Sequence, residues 1–204
     1  MRFSVGTSGY SYKEWKGHFY PKDLAADQML RFYATKLPAV EINNTFYRLP
    51  KASVLENWAE QVPGDFRFAL KASRRITHLK RLKEADEETD YLLRTVQTLG
   101  DRLGVILFQL PPYLKKDLPR LQQFLELLDD NTRTAFEFRD ESWFDDEVFD
   151  ALRQHGCALC LSDVDDEPAP ELVSTAGWGY LRLRRAAYKK ADLTKWAKQI
   201  ADQS

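Results

Sequence analysis

The 204-residue chain reads as an α/β protein of the (β/α)8 TIM-barrel type, on three observations. Short β-rich runs alternate with longer amphipathic stretches, the order that builds a parallel sheet covered by helices. The strands alternate apolar and polar residues, whereas strands of a doubly wound sheet, covered on both faces, read as nearly continuous apolar runs. The polar face carries charged groups close to strand C-termini, where enzymes of this barrel type place their working residues.

The elements follow in order. A strand is predicted over Phe3–Gly6, then an aromatic loop, Gly6 to Pro21, and a helix over Ala26–Leu37. The second strand, Ala39–Asn43, puts Val40 and Ile42 on one face and Glu41 and Asn43 on the other. Thr45-Phe46-Tyr47-Arg48 reads as an aromatic rim loop before a helix over Ser53–Gln61. In the third strand, Phe66–Lys71, Phe66, Phe68 and Leu70 oppose Arg67, Ala69 and Lys71; a helix over Asp86–Leu99 follows. Val105–Gln109 is the fourth strand, and Asp117 is a suitable N-cap for a helix over Leu118–Leu128. In the fifth strand, Thr134–Arg139, Phe136 and Phe138 oppose Glu137 and Arg139. A helix over Asp146–Gln154 stops at Gly156, ahead of the sixth strand, Cys157–Asp163. The seventh strand, Gly179–Arg184, turns Arg182 and Arg184 to the polar side, and a helix spans Ala191–Ala201.

That makes seven strands where a barrel needs eight, so the reading is one domain over residues 1–204, lacking the eighth strand and C-terminally shortened. A formal net charge of −1 argues against a general polyanion coat. No apolar run approaches the roughly 20 residues that span a bilayer, so no membrane role is expected. Two cysteines are too few for a disulfide scaffold, and a cytoplasmic protein is expected. Cys157 and Cys160 lie three apart within one strand, on opposite faces, and so read as core thiols rather than a redox pair.

The polar face collects Arg67, Lys71, Arg139, Arg182 and Arg184 against Glu41, Glu137 and Asp163, with Asn43 and Gln109 as neutral partners. Buried charges must pair or meet a ligand. The cationic surplus suits a small anion, because a guanidinium fork matches phosphate and carboxylate oxygens. Glu41 and Glu137 are the proton-transfer candidates, with Lys71 and Asp163 as further catalytic candidates. Asn43, Gln109, Arg139, Arg182 and His78, ringed by Tyr10, Trp15, Tyr47 and Trp143, are the substrate-binding candidates. The competing account is a self-satisfied ion network that locks the barrel. A divalent cation on Glu41, Glu137 and Asp163 is allowed by the carboxylates but not favoured, since no histidine spacing supports a metal. The basic run Lys71 to Lys83 offers weak support for nucleic acid and carries no recognition motif. Oligomeric state is left open.

"GTSGYSYKEWKGHFYP", "VEINNTFYRLP", "ITH", "FQLPP", "FEFRDESW" and "YLRLRRAAY" occur in this order along essentially the whole chain. Together they resemble the YecE-like family, domain-of-unknown-function family 72. The resemblance implies a barrel fold with its site at the strand C-termini, and no substrate. Two departures accompany it: Tyr10 stands where many relatives have Trp, and the family's final strand is absent. The resulting expectation is an acid/base enzyme, a hydrolase or an isomerase/lyase, acting on a small phosphorylated or sugar-like anion. The alternative is a non-catalytic module that binds a phosphorylated metabolite or nucleic acid.

Overall fold

A computed structural model describes residues 3–167 and 171–202. Among these residues seven strands follow one another in the order β1-β2-β3-β4-β5-β6-β7, with helices in the connections. This is the α/β, TIM-barrel-like succession expected from the sequence, with no eighth strand among the described residues. The chain forms two compact units, Phe3–Ile106 and a second from Leu107 onward.

In the first unit, β1 (Gly6–Ser8), β2 (Ala39–Ile42) and β3 (Arg67–Lys71) pair in parallel. β1 lies later than the predicted Phe3–Gly6. Phe3 and Val5 are exposed, whereas Gly6 pairs with Ala39 and Ser8 with Glu41. A strand forms where a partner exists, and a Cβ at position 6 would overlap the Ala39 carbonyl. Glycine is therefore required inside the strand, not just after it. The helices are α1 (Met29–Ala34, entered through a 3-10 turn at Ala26–Gln28), α2 (Asn44–Tyr47), α3 (Ala52–Glu60) and α4 (Asp86–Val96). The rim segment expected as a loop is thus a helical turn. The apolar face of β3 meets helices as predicted: Phe66 lies edge-on to Tyr33 of α1, and Phe68 stacks on Trp58 of α3.

β4 (Leu103–Gln109) leads into the second unit, which holds β5 (Thr134–Glu137), β6 (Ala158–Asp163) and β7 (Tyr180–Leu183). Its helices are α5 (Leu118–Leu125), α6 (Asp146–Gln154) and α7 (Lys190–Ala201). Asp117 caps α5 by accepting from the Arg120 N–H at 3.1 Å, and Asp145 caps α6 from the Glu147 N–H at 3.0 Å. Gly156, at φ 62°, ends the α6 connection in the left-handed conformation that glycine adopts cheaply. Phe108 of β4, Phe136 of β5 and Phe124 of α5 share one ring cluster on the helix side of the sheet. Cys157 and Cys160 are buried thiols, not a disulfide.

Three tyrosines in the first unit carry a pH dependence. Tyr20 is buried and donates to the Tyr10 carbonyl at 2.6 Å. Burial, helped by Tyr33 and Tyr10, pushes its phenol up to about 12, and burial raises Tyr10 and Tyr33 in the same direction. The folded state therefore favours the neutral phenols. Their stabilisation is complete below the unfolded pKa of about 10 and is lost as pH rises through the folded values. Urea unfolding at stepped alkaline pH is expected to show this loss in the native chain and a shallower loss in Tyr20→Phe. Identical slopes in the two chains would refute the assignment.

Candidate functional site

The two units each carry part of the predicted set. In the first, the register sets Ser8, Glu41 and Ala69 side by side on β1, β2 and β3. Ser8 Oγ donates to Glu41 Oε1 at 2.7 Å. Asn43 Nδ2 donates to Ser8 Oγ at 2.7 Å and to the same Glu41 oxygen at 3.1 Å. Ala69, too small to cover its neighbour, leaves room for the buried Glu41 carboxylate. Gly9, at φ +90°, turns the chain over this cluster and donates its N–H to the Glu41 carbonyl at 2.8 Å. A Cβ there would strike the Tyr12 ring, whose hydroxyl donates to the Ser8 carbonyl.

The rim residues of this unit form a second group. Lys71 Nζ lies 4.2 Å from the centre of the Phe46 ring, within cation–π range. His78 meets Phe46 edge-on at 4.8 Å, and its Nδ1 is 2.9 Å from Thr77 Oγ1. His78 sits in a π-helical turn, Arg75–Leu79, a geometry that recurs at functional sites. Tyr47 stands in solvent beside Phe46. Tyr10 and Trp15 pack instead with the loop aromatics, Trp15 on Tyr12 at 4.8 Å and Tyr10 against Tyr33. The basic run is partly neutralised, since Glu88 takes both Arg75 and Lys80 at 2.7 Å. Arg67 lies at the start of β3 and folds back onto the Gly64 and Phe66 carbonyls, away from the strand's C-terminal end.

In the second unit, Glu137 ends β5 with only 2% of its surface exposed. Its Oε2 accepts from Arg182 Nη1 at 2.5 Å, and its Oε1 lies 3.5 Å from Arg139 Nε. The bond from the Leu110 N–H to the Glu137 carbonyl, 2.9 Å, fixes the β4–β5 register. It makes Gln109 the β4 residue alongside Glu137, on the same face. Ser162 of β6 pairs directly with Arg182 of β7. One face thus presents Gln109, Glu137, Ser162 and Arg182, with Arg139 following at the end of β5.

Asp163 has a different environment from the one expected of a proton carrier. Both carboxylate oxygens are occupied: Oδ1 by Arg185 Nε and Nη2 at 2.8 and 2.7 Å, Oδ2 by Trp196 Nε1 at 3.0 Å. The carboxylate in turn raises the Arg185 pKa through its hydrogen bond. Arg184, expected on the polar face, is exposed because β7 ends at Leu183 and the next arginine turns in. Trp143, expected as a rim ring, is fully buried, stacked on Phe138 at 4.7 Å with its indole N–H spent on the Leu114 carbonyl at 2.6 Å. It packs the β5–α6 connection and offers no face to a ligand.

Sequence reasoning missed Ser8, Ser162, Arg185 and Trp196. Ser162 alternates with Leu159 and Leu161, a signal legible once strand limits are known, whereas Ser8 lies between Thr7 and Gly9 and gives no such signal. Arg185 and Trp196 meet Asp163 only through a turn and a helix that local pattern does not position. No group of three or more His, Cys, Asp or Glu among the described residues is placed to hold a metal ion. None of the helices described is long and apolar enough to cross a membrane. A surface depression of about 210 Å³ is lined by Glu171, Leu172, Gln199 and Asp202, none of them candidate residues.

Comparison with known proteins bears on family and fold. A family model described as "Protein of unknown function DUF72" matches residues 4–204. The "UPF0759 protein YecE" of Escherichia coli K12 is 34% identical over 116 residues, 56% of this chain and 43% of that protein. The "UPF0759 protein YunF" of Bacillus subtilis 168 is 29% identical over 140 residues, 64% of this chain and 50% of that one. The chain therefore spans about half the length of the curated relatives it matches. The crystal structure of a DUF72 family protein from Thermotoga maritima MSB8 superposes with a TM-score of 0.83 at 28% identity, covering 98% of this chain and 87% of that one. A DUF72 family protein from Enterococcus faecalis V583, at 21% identity and a TM-score of 0.72 over 96% of this chain and 76% of that one, shares the fold.

Proposed function

Because the chain belongs to the DUF72 family, described as of unknown function, we propose its activity from its own residues: acid/base chemistry on a small phosphorylated or sugar-like anion. The observation that carries this reading is Arg139. Its side chain is 38% exposed and its Nε stands 3.5 Å from a carboxylate that is itself buried. Among the described residues no protein group occupies its terminal nitrogens, so the fork can accept an anion bidentately.

Each group then has a task. Arg139 holds the anion and brings it to Glu137. Glu137 Oε1 is the proton carrier, and Arg182, bound to Oε2, orients the carboxylate. The first unit carries a set of its own, in which Glu41, oriented by Ser8 and Asn43, is a proton-transfer candidate and Lys71 and His78 are candidate anion contacts. Asp163, with both oxygens committed, anchors α7 and takes no chemical step in this reading. The two buried thiols support a reducing, cytoplasmic setting.

Titration with inorganic phosphate followed by calorimetry tests the anion grip. Arg139→Ala should weaken binding at least about tenfold, the loss of one charge-assisted bidentate contact. Equal affinity in the two chains would refute the reading. A phosphorylated metabolite that binds the native chain should then be converted by it, as followed by NMR, and left unchanged by Glu137→Gln. Conversion by neither chain would favour the plain binding module.

A further inference from the structure

We infer that the polar floor beside Glu137 recognises hydroxyl groups, so that the anion held by Arg139 is a polyhydroxylated one rather than a bare phosphate or an alkyl phosphate. This rests on the anion reading and names its ligand class. Two buried polar atoms in the second unit have no hydrogen-bond partner among the described residues, Gln109 Nε2 and Ser162 Oγ. Both belong to residues on the face that bears the Glu137–Arg182 pair. Gln109 stands alongside Glu137 through the Leu110–Glu137 bond, and Ser162 pairs with Arg182 in register. Gln109 is 3% exposed, so its amide is a buried donor with no acceptor among the described residues.

The chemistry of the set selects the ligand. An amide nitrogen only donates, a serine hydroxyl donates or accepts, and a carboxylate only accepts. One hydroxyl can accept from Gln109 Nε2 and donate to Glu137 alongside it, and a second can meet Ser162 Oγ further along the same face. An alkyl chain in the same place would leave the buried donor unsatisfied, as it is without ligand, and gain nothing from it. Sites that hydrogen-bond a substrate hydroxyl discriminate against analogues lacking it, whereas apolar pockets discriminate weakly.

The test compares glycerol phosphate, n-propyl phosphate and inorganic phosphate on the 204-residue chain by calorimetry. Glycerol phosphate should bind at least about tenfold more tightly than propyl phosphate, equivalent to one satisfied buried hydrogen bond. Gln109→Met, close in shape, and Ser162→Ala should each bring the affinities for glycerol phosphate and propyl phosphate together. Thermal unfolding of both variants checks that they fold, and either one that does suffices. A native chain that binds all phosphates with no preference for glycerol phosphate overturns this inference alone, as does a preference that survives in both variants. A native chain that binds no phosphate overturns the anion reading and this inference together.

Discussion

An Arg182→Met chain is expected to lose about 3 kcal/mol of unfolding free energy, the low end of the range for breaking a buried ion pair by removing one partner. Glu137 is 2% exposed and Arg182 7%, so little water is available to solvate the carboxylate once the guanidinium is gone. Arg139 compensates only in part, because its Nε lies 3.5 Å away and its side chain is 38% exposed, where solvent screens the attraction. Replacing both partners, Glu137→Gln with Arg182→Met, should recover much of the loss, since no charge is then left stranded. Urea unfolding of the two single variants and the double variant gives the coupling directly. A single-variant loss below about 1 kcal/mol, the range of exposed pairs, would show that the pair is solvated in solution.

Asp163→Asn should cost a similar amount, about 3 kcal/mol, and should act at a distance along the chain. The carboxylate accepts from Arg185 on one oxygen and from the Trp196 indole on the other, and it is 1% exposed. An asparagine has the same shape, but its amide nitrogen must face one of those donors, which sets donor against donor. The carboxylate joins the end of β6 to the turn after β7 and to the middle of α7, so losing it should loosen that helix before the rest of the unit. Hydrogen exchange read by mass spectrometry should show faster exchange over Lys190–Ala201, with β5 and β6 little changed. Unaltered exchange in α7 would refute the anchoring role. The contrast with Glu137 is chemical: Glu137 has a partly exposed cation within reach of solvent beside it, whereas Asp163 is enclosed by its own partners.

The sequence by itself determined the class of fold and the succession of elements. Period-two alternation in β3 and β5 separated an apolar helix-facing side from a polar one, and the rings of Phe68 and Phe136 lie against α3 and α5 as that pattern requires. Local chemistry also placed the helix ends, because a cap is a contact between residues two or three apart: Asp117 starts α5, and Gly156 follows α6 with positive φ. Tertiary structure alone decided which polar residues meet. β1 shifted because Gly6, rather than Phe3, has a strand to pair with. Arg185 rather than Arg184 reached Asp163 because β7 stops one residue early, and Trp143 went inside because Phe138 and the Leu114 carbonyl could take both its face and its N–H. Each of these outcomes depends on register or burial, properties of residues far apart in the chain. The placement of Gln109 beside Glu137 and of Ser162 beside Arg182 is likewise set across neighbouring strands, a relation that no single stretch of sequence encodes.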